Sequence, residues 1–145
     1  ERVTLMGTFG TLKTKGAVKD LFRQLRSEVT FDVVNEMTKL FDNLKRTDFG
    51  EELEFFNAGI EYIKSLGDTV GDSIANDDLK QKVKMAVSDL LSDDIKGQLE
   101  ELLGNVKSTG IHAGGIVIAG DDVTRIVPCS FERDEDMWVT QPDMK

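Results

Sequence analysis

The apolar positions of this chain change period twice. From 3 to 9 they form a short β-prone run, VTLMGTF, which predicts a strand; Gly7 inside it predicts a bulge or the close approach of another backbone. From Ala17 the period becomes helical, with Val18, Leu21, Phe22, Leu25 and Val29 on one face. A second helix starts after Thr30 as N-cap and carries Val33, Val34, Met37, Leu40, Phe41 and Leu44. After a turn at 45–50, Glu51, Glu52 and Glu54 open a third helix, where the dipole favours acids. Leu53, Phe56, Ile60 and Ile63 form its apolar face and Gly67 stops it. A loop is predicted over 68–78. The fourth helix, 78–91, uses Leu79, Val83, Ala86, Val87, Leu90 and Leu91. The fifth, from a Ser92 cap to Leu103, uses Ile95, Leu99, Leu102 and Leu103, with Gly104 as its stop.

The strand pattern returns at 108–120, STGIHAGGIVIAG. Its run 116–119 is β-branched and bounded by glycines, which predicts a buried strand. His112, the only histidine, then stands where a loop enters that strand. Residues 123–128 read as extended, and 129–132 with 137–141 as a hairpin around the charged turn 133–136. Strand, five helices, then three or four strands is the order of an α+β fold: a mainly helical lobe inserted between strands of a partial sheet. The expected boundaries are a strand segment at 1–12, the helical lobe at 13–107 and a second strand segment at 108–145.

At 145 residues the chain is long enough for a real core. No apolar run approaches the roughly 20 residues of a membrane span, and no signal-peptide pattern opens it. One cysteine, Cys129, excludes an internal disulfide, and one histidine with one cysteine cannot make a structural zinc site. A soluble, cytoplasmic protein is expected. Starting at Glu1 and ending on PDMK without a terminating element, the chain reads as a piece of something longer.

Charge divides this picture further. The net charge of −9 combines +3 over 1–30 (six Lys/Arg against three Asp/Glu), −8 over 31–107 (nine against seventeen) and −4 over 108–145 (three against seven). An acidic whole argues against nucleic acid as a partner, but binding responds to the local field. The one basic stripe is Lys15, Lys19, Arg23 and Arg26, at i, i+4, i+8 and i+11 along the first helix. It could track a phosphate backbone, with a salt slope near −3 to −4 for about four phosphates; as plainly, it is the polar face of an amphipathic helix. Residues 10–16, GTLKTKG, with Thr11, Lys13 and Lys15, supply backbone donors, hydroxyls and lysines ahead of a helix N-terminus, the ingredients of a phosphate site. They do not meet the P-loop pattern, and a strand–helix turn with solvated lysines has the same composition. His112 beside Gly114 and Gly115 could donate to a phosphate or ligand, or serve as a structural hydrogen-bonder. Cys129 next to Pro128 reads as a small buried residue, and the acidic turns lack Ca²⁺-loop spacing. No catalytic constellation is present.

Three segments in order carry a family likeness. TFGTLKTKGAVKDLFRQL (8–25) resembles the ITFGTM-x-x-K-A-x-x-RDV-x-R-x-L segment of the bacterial replicative DNA polymerase III alpha subunit, the C family of DNA polymerases. STGIHAGGIVIA (108–119) resembles its H-A-x-G-V-V-I segment, and VTQPDMK (139–145) its V-T-Q-[FY]-D-M/K segment; between them SEVTFDVVNEMTKLF matches loosely. The resemblance implies palm segments at both ends and, between them, a helical thumb that grips primer–template DNA. It implies DNA or phosphate contacts at Thr11, Lys13, Lys15, Lys19, Arg23, His112, Gly114 and Gly115, with 8–15 and 112–115 close together on the palm. The family's catalytic carboxylates, in P-D-x-D-x-D-F and K-x-D-F-L-G-L motifs, would lie before and after this chain. They would hold the Mg²⁺ of two-metal nucleotidyl transfer, so the piece alone is expected to be inactive and to need no cofactor. Pro142 in place of the family's aromatic, and the acidic lobe, imply a divergent or phage-like member whose DNA contacts concentrate on one helix and on backbone amides.

The expected partners are primer–template DNA and the remainder of the polymerase chain. A cut sheet also exposes edges, so a non-physiological homodimer of the piece is expected in isolation. The rival reading is a stand-alone acidic helical protein-interaction module with no DNA affinity. A small nucleotide-binding enzyme using 10–16 would need carboxylates that the sequence does not place.

Overall fold

The structure, a computed structural model, describes residues 2–133 and 136–141. Two residues of the expected hairpin turn, Asp134 and Glu135, and the 142–145 end of the VTQPDMK segment lie outside them. The chain divides into two compact units: Leu12–Asn105, and Glu1–Thr11 with Val106–Lys145. Among the described residues, five α-helices and a four-stranded mixed sheet make the fold α+β, as the sequence predicts.

The first unit is helical: α1 (Thr14–Leu25), α2 (Phe31–Lys39), α3 (Glu52–Leu66), α4 (Asp77–Leu90) and α5 (Asp93–Leu102). Helical spacing delivers one buried stripe from each, for example Val18, Leu21 and Phe22 from α1, and Val83, Val87 and Leu90 from α4. α1 packs on α2, α3 and α5, and α2 also packs on α4. Phe41 lies at the centre, with ring centroids 6.3 Å from Phe55 and 6.4 Å from Phe56. Gly59 makes this possible, because a Cβ there would overlap the Phe41 ring. Glu51 and Glu54 cap α3 reciprocally in a capping box, and Gly67 ends it at φ 52°.

Three expectations change in this unit. α1 begins at Thr14, three residues before the apolar period becomes visible. α2 stops at Lys39, and Leu40–Asn43 tighten into a 3₁₀ turn in which the Leu44 N–H bonds the Phe41 carbonyl at 3.2 Å. Phe55, not Leu53, lies on the buried face of α3: with both Phe55 and Phe56 drawn to Phe41, Leu53 turns outward and is exposed.

The second unit is a sheet of β1 (Val3–Thr11), β2 (Val106–Ile118), β3 (Cys129–Glu132) and β4 (Met137–Thr140), in the order β2-β1-β4-β3. β1 runs antiparallel to β2 and parallel to β4, and β3 pairs antiparallel with β4. Gly7 fulfils both expectations for it. It sits beside a register shift, and a Cβ there would collide with the Thr140 carbonyl on β4, whose hydroxyl accepts the Gly7 N–H at 3.3 Å. Thr4 donates its hydroxyl to the Trp138 carbonyl, a second tie between the same strands.

Two readings of this unit are corrected. β2 is not a buried strand entered from a loop at His112: it spans thirteen residues, runs at the sheet edge and leaves Ile116 and Ile118 exposed, the latter by 73 %. A β-branched run reports strand conformation but not cover. Residues 123–128 are not extended, because the Asp122 carboxylate accepts the Thr124 N–H at 3.1 Å and starts a 3₁₀ turn at Val123–Arg125.

Candidate nucleic-acid interface

The expected phosphate loop at 10–16 is largely consumed by secondary structure. β1 continues through Thr11 and α1 starts at Thr14, so only Leu12 and Lys13 lie between them. The Leu12 N–H donates to the Asn105 carbonyl at 2.8 Å, and the Leu12 carbonyl accepts from Gly104 at 3.2 Å. At the helix start, the Thr14 N–H and hydroxyl both donate to Glu52 Oε1, at 2.7 and 2.8 Å. Arg46 holds the other oxygen of Glu52 at 2.8 Å and donates to the Phe49 carbonyl at 2.8 Å. An internal carboxylate therefore takes the position at the helix N-terminus where an anion would be stabilised. Burial by itself raises the Glu52 pKa, but the Thr14 bonds and the Arg46 guanidinium outweigh it and hold the carboxyl below its ordinary value. The amides of Leu12 and Thr14 are thus not available donors, contrary to the sequence reading. Lys13, at the N-cap position, stays exposed.

The cations of α1 keep their helical spacing, and each has a partner. Lys15 pairs with Asp42, Lys19 lies 5.6 Å from the centroid of the Phe31 ring, and Arg23 bonds Asp20 at 2.9 Å. Arg26, at the C-cap of α1, reaches Asp89 at 3.4 Å. These pairs are solvated: the Arg23 side chain is 73 % exposed and Lys15 is well exposed. Such surface pairs are worth only about 0–1 kcal/mol, so an incoming phosphate can replace the carboxylate at little cost.

In the sheet unit the HAGG segment forms a bulge. Leu5 pairs with Ile116 and Gly7 with Ile111, so residues 112–115 stand opposite Met6 alone. This re-aims His112, a usual effect of bulges. The Gly114 N–H donates to His112 Nδ1 at 3.2 Å, which makes Nδ1 the acceptor and Nε2 the nitrogen that carries a hydrogen. A Cβ on Gly115 would lie 2.6 Å from Met6 Sδ, and one on Gly114 would lie 3.3 Å from His112 Cε1. The two glycines fit the tight return of the bulge. Thr11 closes the other end of the β1–β2 ladder, opposite Val106. Within this unit the strand residues Thr8 and Gly110 are direct partners, so the 8–11 and 112–115 segments lie on neighbouring strands.

The whole chain, residues 1–145, matches the family described as the bacterial DNA polymerase III alpha NTPase domain. Among curated relatives it is 30 % identical over 146 residues to a DNA polymerase III subunit alpha of Chlamydia muridarum, covering all of this chain and 10 % of the relative. A subunit of the same name from Chlamydia pneumoniae gives 30 % over the same span, again covering all of this chain and 10 % of the relative. One from Xylella fastidiosa gives 31 % over 137 residues, covering 93 % of this chain and 10 % of the relative. The chain belongs to the bacterial DNA polymerase III alpha family. It spans about a tenth of the length of these relatives.

Among the described residues, no group of three His, Cys, Asp or Glu could hold a metal ion. Burial first and the Asp122 charge second push the Cys129 thiol up, and the thiol donates to the Val127 carbonyl at 3.4 Å. No helix among the described residues is long and apolar enough to cross a membrane.

Sequence reasoning missed Glu52, Arg46 and Phe31. Glu52 was expected to serve the dipole of its own helix; instead its carboxylate serves α1, thirty-eight residues away in sequence, and nothing local signals that. Phe31 did leave a signal. It follows the Thr30 cap but falls out of phase with Val33, Val34 and Met37, and it is 70 % exposed.

Proposed function

We propose that this chain is a palm–thumb segment of a C-family replicative DNA polymerase, in which Leu12–Asn105 is the thumb and α1 contacts the phosphates of primer–template DNA. Family membership across the full 145 residues supports a polymerase parent. The observation that carries the DNA contact is the row Lys15, Lys19 and Arg23, solvated cations held only by replaceable surface partners, on the one helix of an acidic chain where cations dominate. Concentrating phosphate contacts there answers the net charge of −9, because a phosphate at α1 feels the nearby cations first and the distant acids through screening.

In this reading the segment positions DNA and leaves the chemistry to carboxylates and Mg²⁺ elsewhere in the parent, a cytoplasmic nucleotidyltransferase. His112 Nε2–H, with Gly114 and Gly115 of the bulge, is the candidate contact of the palm segment. Lys13, just ahead of α1, adds a further cation in the helical unit, and Thr11 a hydroxyl in the sheet unit.

The test is duplex binding by the full-length subunit carrying Lys15→Glu and Lys19→Glu. Affinity should fall, and the salt slope should flatten by about one for each lost phosphate contact, with the fold unchanged by circular dichroism. Unchanged affinity and slope would remove α1 from the interface and favour an acidic protein-interaction module.

A further inference from the structure

Phe31 opens α2 with 70 % of its surface in solvent, although a few residues on the same helix buries Val33, Val34 and Met37. Its ring is engaged from α1 by the Lys19 ammonium, 5.6 Å from the centroid. Together they border a cavity of about 350 Å³ with an apolar floor of Val29 and Val34 and a polar rim that includes Arg23 and Ser27. That volume lies at the small end of the ~300–1,000 Å³ typical of ligand clefts.

We propose that this cavity takes one unpaired nucleotide, its base on the Phe31 ring and its phosphate between Lys19 and Arg23. The inference rests on the DNA reading of α1 and goes beyond it, since phosphate contact alone requires no aromatic. Charge complementarity selects the occupant. Two cations reach the rim, and its carboxylate, Asp20, is bonded to Arg23 at 2.9 Å. A flat aromatic with adjacent cations is the arrangement that holds single-stranded nucleic acid, because every base has a π-face and every nucleotide a phosphate. A base inside a duplex has both faces stacked already and cannot use the ring. The ligand is therefore an unpaired nucleotide beside the duplex that α1 holds.

The experiment compares two DNAs with the full-length subunit: a primer–template with a single-stranded overhang, and a flush duplex of the same paired sequence. Phe31→Ala should weaken binding to the overhang DNA about fivefold or more, the lower end of what one base–aromatic stack contributes, and leave the flush duplex unchanged. Phe31→Trp should retain overhang binding, with its emission quenched by that DNA only. Equal losses on both DNAs would make Phe31 a mere support for Lys19 and overturn the proposal. Unchanged DNA affinity in Phe31→Ala, with loss of a protein partner of the polymerase instead, would overturn it in favour of a protein-docking patch. If Lys15→Glu with Lys19→Glu weakens flush-duplex binding while Phe31→Ala does nothing, only the base site fails. If neither has an effect, the DNA reading of α1 fails with it.

Discussion

Among the described residues, the helical unit buries nineteen apolar side chains in one cluster, from Ala17 to Leu99, whereas the sheet unit buries two, Val123 and Val139. The helical unit closes over its own hydrophobic surface. The sheet unit is held by ladder hydrogen bonds, by Thr4 and Thr140 tied to neighbouring strands, and by the Phe131–Trp138 cross-strand pair at 5.5 Å, while Ile116, Ile118 and Val3 stay in solvent. The difference teaches where each unit's stability comes from: burial of apolar area in one, backbone geometry in the other.

Four substitutions in the 145-residue chain probe that contrast, from large effects to small. Phe56→Ala empties the centre of the helical core and should cost about 3–5 kcal/mol, read as a lower urea midpoint of the helical circular dichroism. A loss near 1 kcal/mol would mean the core is looser than its packing implies. Gly7→Ala tests the backbone-held unit. Its Cβ meets the Thr140 carbonyl, which cannot swing aside as a side chain could, so a cost of about 3 kcal/mol is expected, with faster hydrogen exchange at the β1–β4 amides. Retained exchange protection would mean that the two strands are not in this register.

Glu52→Gln probes a polar tie inside the apolar unit and should cost about 1–3 kcal/mol, because Thr14 and Arg46 lose a charged acceptor. Its pH dependence has a defined sign. The folded Glu52 titrates below the ordinary value of 4.5, so its contribution is fully present above that value and is lost as pH falls through the folded pKa. The gap between wild type and Glu52→Gln should therefore shrink on acidification below about 4.5, and a gap that widened would contradict the bonding seen at Thr14. Smallest of all, Ile118→Thr on the open sheet should stay within about 0.5 kcal/mol. A substantially larger loss would show that this face is covered in solution.

The chemistry of the candidate interface divides along the same line. In the helical unit, Lys15, Lys19 and Arg23 are placed by helical period alone, and their spacing is legible in the sequence. In the sheet unit, the placement of His112 depended on a register shift of β2 against β1, which turns four consecutive residues into a bulge opposite Met6. A single sequence lists the glycines that permit this but not the partner strand that imposes it.

What the sequence determined by itself was local: the five apolar stripes, the glycine stops at Gly67 and Gly104, the strand at each end of the helical stretch, and the row of cations on α1. These follow from periods of 3.6 and 2 and from backbone freedom, which act over a few residues. Only tertiary structure decided which face was covered, that Phe55 rather than Leu53 turned inward, and that Glu52 left its own helix dipole to occupy the N-terminus of α1. Those outcomes depend on which groups meet across dozens of residues, where packing volume and the cost of an unpaired buried charge outweigh any local preference.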